Sequence, residues 1–424
     1  MMNNTTVNTI IGSRRRFLKL VGLSPIAATA LVHANVGADN TPHIVVIGGG
    51  FSGATCAKYL KMWGGSSVDV TIIETNPTYV SPILSNLVIN GQKTIRDLTF
   101  DYKTMNSKYK VNIVHGTVEN VDKTAKVLTL DNQNKIQYDK LVLAAGIDFN
   151  FTNSYDITKV PHAWQSRDGI VQLQSQIDSM QNGDTFVMTI PASPYRCPPG
   201  PYERACVVVD YLKNKKRYAN AKVIVLDANP KIIVEEDTFK AQFAKYGVEY
   251  IPNATVDRVD DIQKSVTYSE NGTQKTLTAK VLNVIPNQKA APIVFKTGVN
   301  SGNWAPVNPL SYESVMANDI YIIGDSQGTG QPKAGHIGNS EAKICADAIL
   351  RKLNNKPLYA SPKTNSACYS PTSSFEASWL TAVYKYDPNT QKMVVANKAA
   401  GGPTSKNYRK MFMWSGNLFA DTFA

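Results

Sequence analysis

A chain of 424 residues, 43% of them hydrophobic, has room for two or three domains around a substantial core. Its formal net charge is +12, yet no run of Lys and Arg interleaved with aromatics occurs, which argues against nucleic acid and leaves an anionic substrate or an acidic partner. The five cysteines form no C-x-x-C or C-x-x-C-H arrangement and the five histidines are not paired, so neither a metal centre nor a covalent c-type haem is expected.

The N-terminus reads as an address. Ser13-Arg14-Arg15-Arg16-Phe17-Leu18-Lys19 is a twin-arginine pattern, and a modest apolar run from Leu20 to Val32 follows it. That run is too short to span a bilayer well. Cleavage after Ala34 or Ala38 makes residues 1–38 a signal peptide and the mature protein periplasmic. The twin-arginine route exports folded proteins, often with their cofactor inserted. No later stretch is long and apolar enough for a membrane span. In an oxidising compartment a cysteine pair tends to close, and the odd count leaves at least one free thiol.

The first predicted elements are a strand, a tight turn and a helix. The β-branched run His43 to Ile47 ends in Gly48-Gly49-Gly50-Phe51-Ser52-Gly53, and an Ala-rich helical pattern runs to Leu60. Gly48, Gly50 and Gly53 stand at the G-x-G-x-x-G spacing of a dinucleotide site, with Ser52 inside it. Gly48 permits the turn, Gly50 lets backbone approach a pyrophosphate, and Gly53 lets helix and strand pack closely. The helix N-terminus then turns free N–H groups towards the phosphates. A second run, Val68 to Ile73, ends at Glu74, about 20 residues on, where a ribose-binding acid belongs.

A loop over 76–82 and a helical run through Leu87 come next. Val111 to Val114 and Lys126 to Leu130 read as strands. Tyr138 to Gly146 is a strand ending in Ala144, Ala145 and Gly146, small enough to pack over a nucleotide. A second unit repeats the order: strand Thr185 to Ile190, helix Glu203 to Leu212, strand Lys222 to Asp227. Its turn holds Pro191, Pro194, Pro198 and Pro199 where a nicotinamide nucleotide needs glycines, which argues against NAD(P)H as reductant. Asp319 to Ile323 is then a strand ending in Gly324-Asp325; in a flavin domain an acid there would hold the ribityl–phosphate end, and the plainer reading is a strand-end turn. A helix is expected over Asn339 to Leu353. From about Pro357 the composition turns to Ser, Thr, Tyr and Asn, and Ala377 to Tyr386 with Lys392 to Ala396 reads as a hairpin. The tail carries the cluster Met411-Phe412-Met413-Trp414, either docked on the core or covering a cofactor.

A glycine turn near the N-terminus, a small-residue strand end, a Gly-Asp strand end and two nested strand–helix–strand units resemble the two-dinucleotide-domain flavoprotein disulfide reductases, and the resemblance implies an α/β fold of two nested Rossmann-like domains plus a C-terminal α+β domain. The domains run 40–150 and 285–355 for the two parts of the FAD-binding unit, 151–284 for the second nucleotide-type domain, and 356–424 for the C-terminal domain.

Finer motifs narrow the resemblance. Arg196-Cys197-Pro198-Pro199-Gly200-Pro201-Tyr202-Glu203-Arg204 is similar to the segment that marks the flavoprotein subunit of flavocytochrome c sulfide dehydrogenases. So are Leu84-Ser85-Asn86, Pro161-His162-Ala163-Trp164, Cys368-Tyr369-Ser370 and the ending Asp421-Thr422-Phe423. The resemblance covers essentially all of the chain after the leader. It implies FAD, a disulfide over the flavin ring formed by Cys197 and Cys368, attack on it by sulfide, and electron transfer to a c-type cytochrome subunit in a heterodimer. In that family a cysteine just before Leu-Ser-Asn tethers the flavin; here Pro82 stands at that place, so FAD is expected to be non-covalent.

Each candidate has a plainer reading beside it. Cys197 and Cys368 as a structural bridge would add a few kcal/mol by restraining the unfolded chain. Cys56, Cys206 and Cys345 read as core residues. Glu203 either steadies a helix N-terminus or accepts the proton of incoming hydrogen sulfide. Trp414 is an active-site cover or core, and Lys333 a partner for reduced flavin or a surface lysine. Two other functions compete: sulfide oxidation with quinone as acceptor, which would call for a membrane-seated amphipathic C-terminal segment, and a non-catalytic flavin-binding accessory subunit.

Overall fold

The computed structural model describes residues 41–165 and 167–424. The expected signal peptide lies outside the described residues. Strand β1 (His43–Ile47), helix α1 (Phe51–Gly64), β2 (Asp69–Glu74), β3 (Asn112–His115) and β4 (Lys140–Leu143) open the first unit. The second holds β5 (Thr185–Ile190), α2 (Gly200–Asp210), β6 (Lys222–Asp227), α3 (Glu236–Tyr246), β7 (Glu249–Ile251) and β8 (Val281–Val284). The chain then returns through β9 (Ile320–Ile322) and α4 (Gly335–Leu353). The C-terminal part is β10 (Lys363–Pro371), β11 (Ala377–Asp387), β12 (Lys392–Thr404) and α5 (Ser405–Phe423).

Two parallel sheets carry the molecule. The first has strand order β9-β4-β1-β2-β3 and the second β7-β6-β5-β8. Their central strands are apolar on both faces, as sheets covered by helices on both sides require. The chain crosses between the units on Ile147–Asn150 and Asn287–Ala290, which pair antiparallel with Ile147 opposite Ala290. The α1 and α4 helices cover one face of the first sheet, with Ala54, Ala57, Cys345 and Ala346 in a single buried cluster.

Several boundaries differ from the sequence reading. The helix expected from Glu203 begins at Gly200, and its last turn widens to a π-turn over Tyr211–Lys215. The helix expected from Asn339 begins at Gly335. The run expected to stay helical through Leu87 is a short helix over Asn86–Ile89.

The C-terminal part departs most. The hairpin strands are longer than expected, and a third strand, β10, pairs with β11 along its whole length. That strand hides its small polar side chains, Thr364, Ser366 and Ser370, rather than alternating apolar ones, so no hydrophobic period marks it. The last residues form α5, whose N-cap Thr404 accepts at Oγ1 the N–H of Asn407 at 3.0 Å. This helix turns Met411, Leu418 and Phe423 inward. Phe423 stacks on Phe100 at 4.6 Å, and Phe419 lies 6.0 Å from Phe51. Lys58 Nζ donates to the carbonyls of Ala420, Asp421 and Ala424 at 3.2, 2.9 and 2.6 Å, clamping the helix end to α1. The Asp421-Thr422-Phe423 ending is thereby a docking motif.

Candidate functional site

A cavity of about 970 Å³ runs from the glycine turn of the first unit to the proline turn of the second. Its size suits a dinucleotide-sized ligand. Gly48, Gly50, Ser52 and Glu74 line one end, Ala144, Gly146 and Asp325 the middle, and Cys197, Glu203, Cys368 and Trp414 the other end.

At the first end Gly48 has φ +102°, and a Cβ on Gly53 would stand 1.8 Å from the Gly48 carbonyl oxygen. Both positions therefore demand glycine. Because α1 starts at Phe51, the N–H groups of its first turn have no partner within the helix. Glu74, at the end of β2, accepts the N–H of Gly49 at 2.7 Å and that of Asn76 at 3.0 Å. It is thus fixed at the mouth of the turn, where a ribose hydroxyl would meet it.

In the middle, Gly324 turns the chain at φ +73° and donates its N–H to Glu341 Oε2 at 2.7 Å. Glu341, unforeseen in the sequence, is fully buried, and burial pushes its carboxyl well up; its Oε1 accepts from Gln327 Nε2 at 2.8 Å. It braces the loop that presents Asp325. Burial also raises the Asp325 carboxyl, against the pull of Arg196 and Lys333.

Lys333 corrects an expectation. Its ammonium is absent from the cavity wall; it donates to the carbonyls of Asp325 and Gln327 at 2.9 and 2.8 Å and lies 3.5 Å over the Trp304 ring. Burial lowers it to about 8. Its role is to hold the loop, and its carbonyl accepts the N–H of Cys197 at 2.7 Å. Of the cations that line the cavity, Arg167, Arg196 and Lys296, Arg196 is the one next to Cys197.

At the sulfur end Cys197 sits at φ 57°, a left-handed conformation that L-residues with a Cβ rarely adopt. It is pinned by the bond to Lys333 and by accepting the N–H of Gly200 at 2.9 Å. A Cβ on Gly200 would stand 2.9 Å from both Cys197 Sγ and the Trp164 ring, so glycine is needed there too. Cys368 reaches the same cavity from β10, the edge strand of its sheet. All five cysteines are unbridged in this structure. Cys56, Cys206 and Cys345 are fully buried and line no part of this cavity.

Burial pushes the Cys197 thiol up, helped by the charges of Cys368 and Glu203, and pushes Cys368 up to about 12. Burial likewise pushes Glu203 up to about 8, although Asn86 Nδ2 donates to its Oε1 at 2.8 Å. Behind it lies a network no single motif announced. Arg204, with 1% of its surface exposed, donates to Asn86 Oδ1 (2.9 Å), the carbonyls of His162 (3.0 Å) and Ala163 (2.7 Å) and Asn283 Oδ1 (3.0 Å). Its guanidinium lies 4.8 Å from the Trp164 ring. Three scattered sequence motifs are thus one hydrogen-bonded wall.

Trp414 lines the cavity and donates Nε1–H to His336 Nδ1 at 3.3 Å. The same Nδ1 accepts the N–H of Ala367 at 3.1 Å, and burial lowers the His336 imidazole below its ordinary value. His336, Arg196, Tyr79 and Trp164 all line the site and were missed as site residues in the sequence. The buried Trp164 Nε1 has no partner among the described residues. An orphaned donor on the wall, a cradle at Gly48 to Ser52 and an acid at Asp325 fit FAD. Among the described residues no group of three or more His, Cys, Asp or Glu is placed to hold a metal ion.

Residues 170–286 match the family described as the central part of the sulfide dehydrogenase (flavocytochrome c) flavoprotein chain, and residues 42–182 match pyridine nucleotide-disulphide oxidoreductases. Sulfide-quinone reductase of Aquifex aeolicus is 22% identical over 359 residues, 77% of this chain and 80% of its own. The flavocytochrome c sulfide dehydrogenase flavoprotein chain of Chlorobaculum thiosulfatiphilum is 44% identical over 48 residues, 11% of this chain and 98% of that sequence. Among solved structures, sulfide:quinone oxidoreductase of Aquifex aeolicus superposes with a TM-score of 0.76 at 17% identity, covering 90% of this chain and 92% of its own. The Plasmodium falciparum NDH2 structure with NADH gives 0.68 at 13% identity, covering 90% and 97%. The fold is therefore that of the α/β flavoprotein disulfide reductases.

Proposed function

From a protein of the flavoprotein disulfide reductase fold, we propose an enzyme that oxidises sulfide with non-covalently held FAD and passes the electrons to a c-type cytochrome subunit in the periplasm. The observation that carries this reading is one cavity with the glycine cradle at one end and Cys197, Cys368 and Glu203 at the other. The match of residues 170–286 and the likeness to sulfide-quinone reductase point to the same substrate.

In this reading Cys197 and Cys368 rest as a disulfide. Hydrogen sulfide attacks one sulfur; its proton goes to the Glu203 carboxylate; the S–S bond breaks, leaving a persulfide on one cysteine and a thiolate on the other. With Glu203 titrating near 8, that step quickens as pH rises through about 8. Trp414 and Trp164 close the sulfur end, while the α1 N-terminus, Glu74 and Asp325 hold the cofactor. When bound, FAD supplies a two-electron acceptor that can release electrons singly to haem. Non-covalent attachment is supported by Pro82, since the loop over 79–86 carries no thiol.

Anaerobic sulfide should bleach the flavin, and Cys368→Ser should keep FAD yet slow that bleaching by about a hundredfold or more. Acid precipitation should release the flavin. If the serine variant bleaches at the parent's rate, the pair is structural. An accessory subunit would show no bleaching at all.

The quinone-linked alternative is favoured by the 22% identity to sulfide-quinone reductase. The chain does carry an amphipathic C-terminal helix, but α5 turns Met411, Leu418 and Phe423 onto the protein's own core. Among the described residues no helix is long and apolar enough to cross a membrane. Rates with soluble cytochrome c and with a short-chain quinone, measured side by side, separate the two acceptors.

A further inference from the structure

One short stretch of chain, residues 333–336, reaches the backbones of both site cysteines. The Lys333 carbonyl accepts the Cys197 N–H at 2.7 Å. Three residues on, His336 is the second residue of α4. Its Nδ1 accepts the N–H of Ala367, the residue before Cys368, at 3.1 Å, and the indole N–H of Trp414 at 3.3 Å. Tyr369, the residue after Cys368, lies 5.7 Å from the Trp414 ring. A single imidazole thus joins α4 to β10 and to α5 at the sulfur end.

The strand needs that partner. β10 lies at the edge of its sheet and pairs with β11 on one side only. Along an antiparallel edge the N–H groups of alternate residues point away from the sheet, and where they are covered they need another acceptor. Asn365 and Ala367 are two such residues, and α4 answers both. His336 takes the Ala367 N–H, while Ser340 Oγ takes that of Asn365 at 3.4 Å and gives its own hydrogen to Asn365 Oδ1 at 2.8 Å. His336 and Ser340 are four residues apart and share a helix face. Their spacing, about 6 Å along the helix, matches the roughly 7 Å step between alternate strand residues.

The ring can serve only in one form. Both donors converge on Nδ1, so that nitrogen carries no proton. The hydrogen of the ring belongs to Nε2, which faces the Asn365 side-chain amide at 3.3 Å. Burial lowers the imidazole, as does Lys343, which keeps Nδ1 free to accept; Asp421, which pulls the other way, is paired with Lys343 at 2.7 Å.

We propose that His336 is the positioning residue of the sulfur end: from the stretch that holds Cys197, its Nδ1 fixes the backbone beside Cys368 and the ring of Trp414 over the cavity. The proposal rests on reading Cys197 and Cys368 as a redox pair. Two cysteines bridge only when their Cα atoms stand within about 7 Å. A brace that grips both backbones therefore governs how readily the pair closes. His336 itself exchanges neither proton nor electron in that step.

The test reads that closing in the FAD-loaded full chain, without sulfide. In glutathione buffers under argon, the thiol pair gives two electrons and two protons to oxidised glutathione, which leaves as two thiols. Alkylation and peptide mass spectrometry measure the bridged fraction. His336→Leu removes the acceptor and should lower the closing constant at least about tenfold, or about 30 mV for this two-electron couple. His336→Asn puts an amide oxygen close to where Nδ1 stood and should stay within about threefold of the parent. In protein carrying isotope-labelled tryptophan, the indole NMR signal assigned through Trp414→Phe should move in the leucine variant and hold in the asparagine variant. Should the leucine variant not fold, the ring nitrogen signals of His336 in the parent still decide, and they should show Nδ1 unprotonated. An unmoved constant or indole signal in the leucine variant, equal losses in both variants, or a parent ring protonated on Nδ1 overturns the proposal. A cysteine pair that follows His336 in a protein whose flavin sulfide does not bleach supports the positioning role and sinks the sulfide reaction instead.

Discussion

The chain makes the same strand–turn–helix unit twice and puts it to two uses. Between β1 and α1 the turn is glycine, and it draws helix and strand so close that a Cβ on Gly53 would stand 1.8 Å from the Gly48 carbonyl oxygen. Between β5 and α2 the turn spans 191–199 and is stiffened by four prolines. There the chain lifts Cys197 into a left-handed conformation at φ 57° and hands its N–H to the Lys333 carbonyl of the other unit. The first helix end remains open for phosphates. The second carries Gly200 and Glu203 into the first unit's cavity. One topology thus serves a nucleotide once and thiol chemistry once, and the turn residues decide which.

Breaking the first turn should have the larger effect. Gly53→Val forces the helix off the strand, so FAD binding should weaken by at least about a hundredfold and the purified protein should be colourless. Absorbance at the flavin band relative to protein settles it; stoichiometric FAD in the variant would refute the cradle.

Gly200→Ala tests the second turn. The added methyl meets the Cys197 sulfur and the Trp164 ring, both at 2.9 Å. FAD should stay bound, because the change lies away from the cradle, while sulfide-driven bleaching slows about ten- to a hundredfold through the displaced sulfur. Loss of FAD together with activity would show that the two turns are not separable in function, and the comparison would fail.

How much of this was legible in the sequence follows from what each region hides. The parallel sheets are apolar runs closed by glycine, and their strands lie close to where periodicity puts them. Cys197, Cys368 and Glu203 could be singled out by resemblance, but not their shared cavity, because Cys368 comes from a strand with no hydrophobic period. The Arg204 network escaped because its partners are mainly carbonyl and amide oxygens scattered over His162, Ala163, Asn86 and Asn283. The α5 helix was readable in principle: Thr404 caps it, and Met411, Ser415, Leu418 and Thr422 recur at helical spacing. Half-buried aromatics at Phe412, Trp414 and Phe419, set between those positions, mask that period. Lys333 misled because sequence shows a charge near a helix start but not which way its ammonium turns.

The smallest expected effect sharpens the comparison at its most specific point, the carboxyl that the second turn buries. Glu203 titrates near 8 in the folded chain against 4.5 for an ordinary glutamate, so between those values the folded state holds a proton that the unfolded state has lost. Its contribution to stability is fully present below about pH 4.5 and is lost as pH rises through about 8, with a slope of about 1.4 kcal/mol per pH unit inside the window. Glutamine keeps the Asn86 amide bonded but does not titrate. Glu203→Gln should therefore gain on the parent at up to that slope between about pH 5 and 8. Asp227, Glu235, Asp325 and Glu341 are raised by burial as well and tilt the absolute curve in the same direction. Only the difference between parent and variant isolates Glu203. Denaturant unfolding at pH 5, 6.5 and 8 measures it. A constant difference across the three would mean that Glu203 is not held protonated at the α2 N-terminus, and that the second turn, like the first, opens its helix end to negative charge.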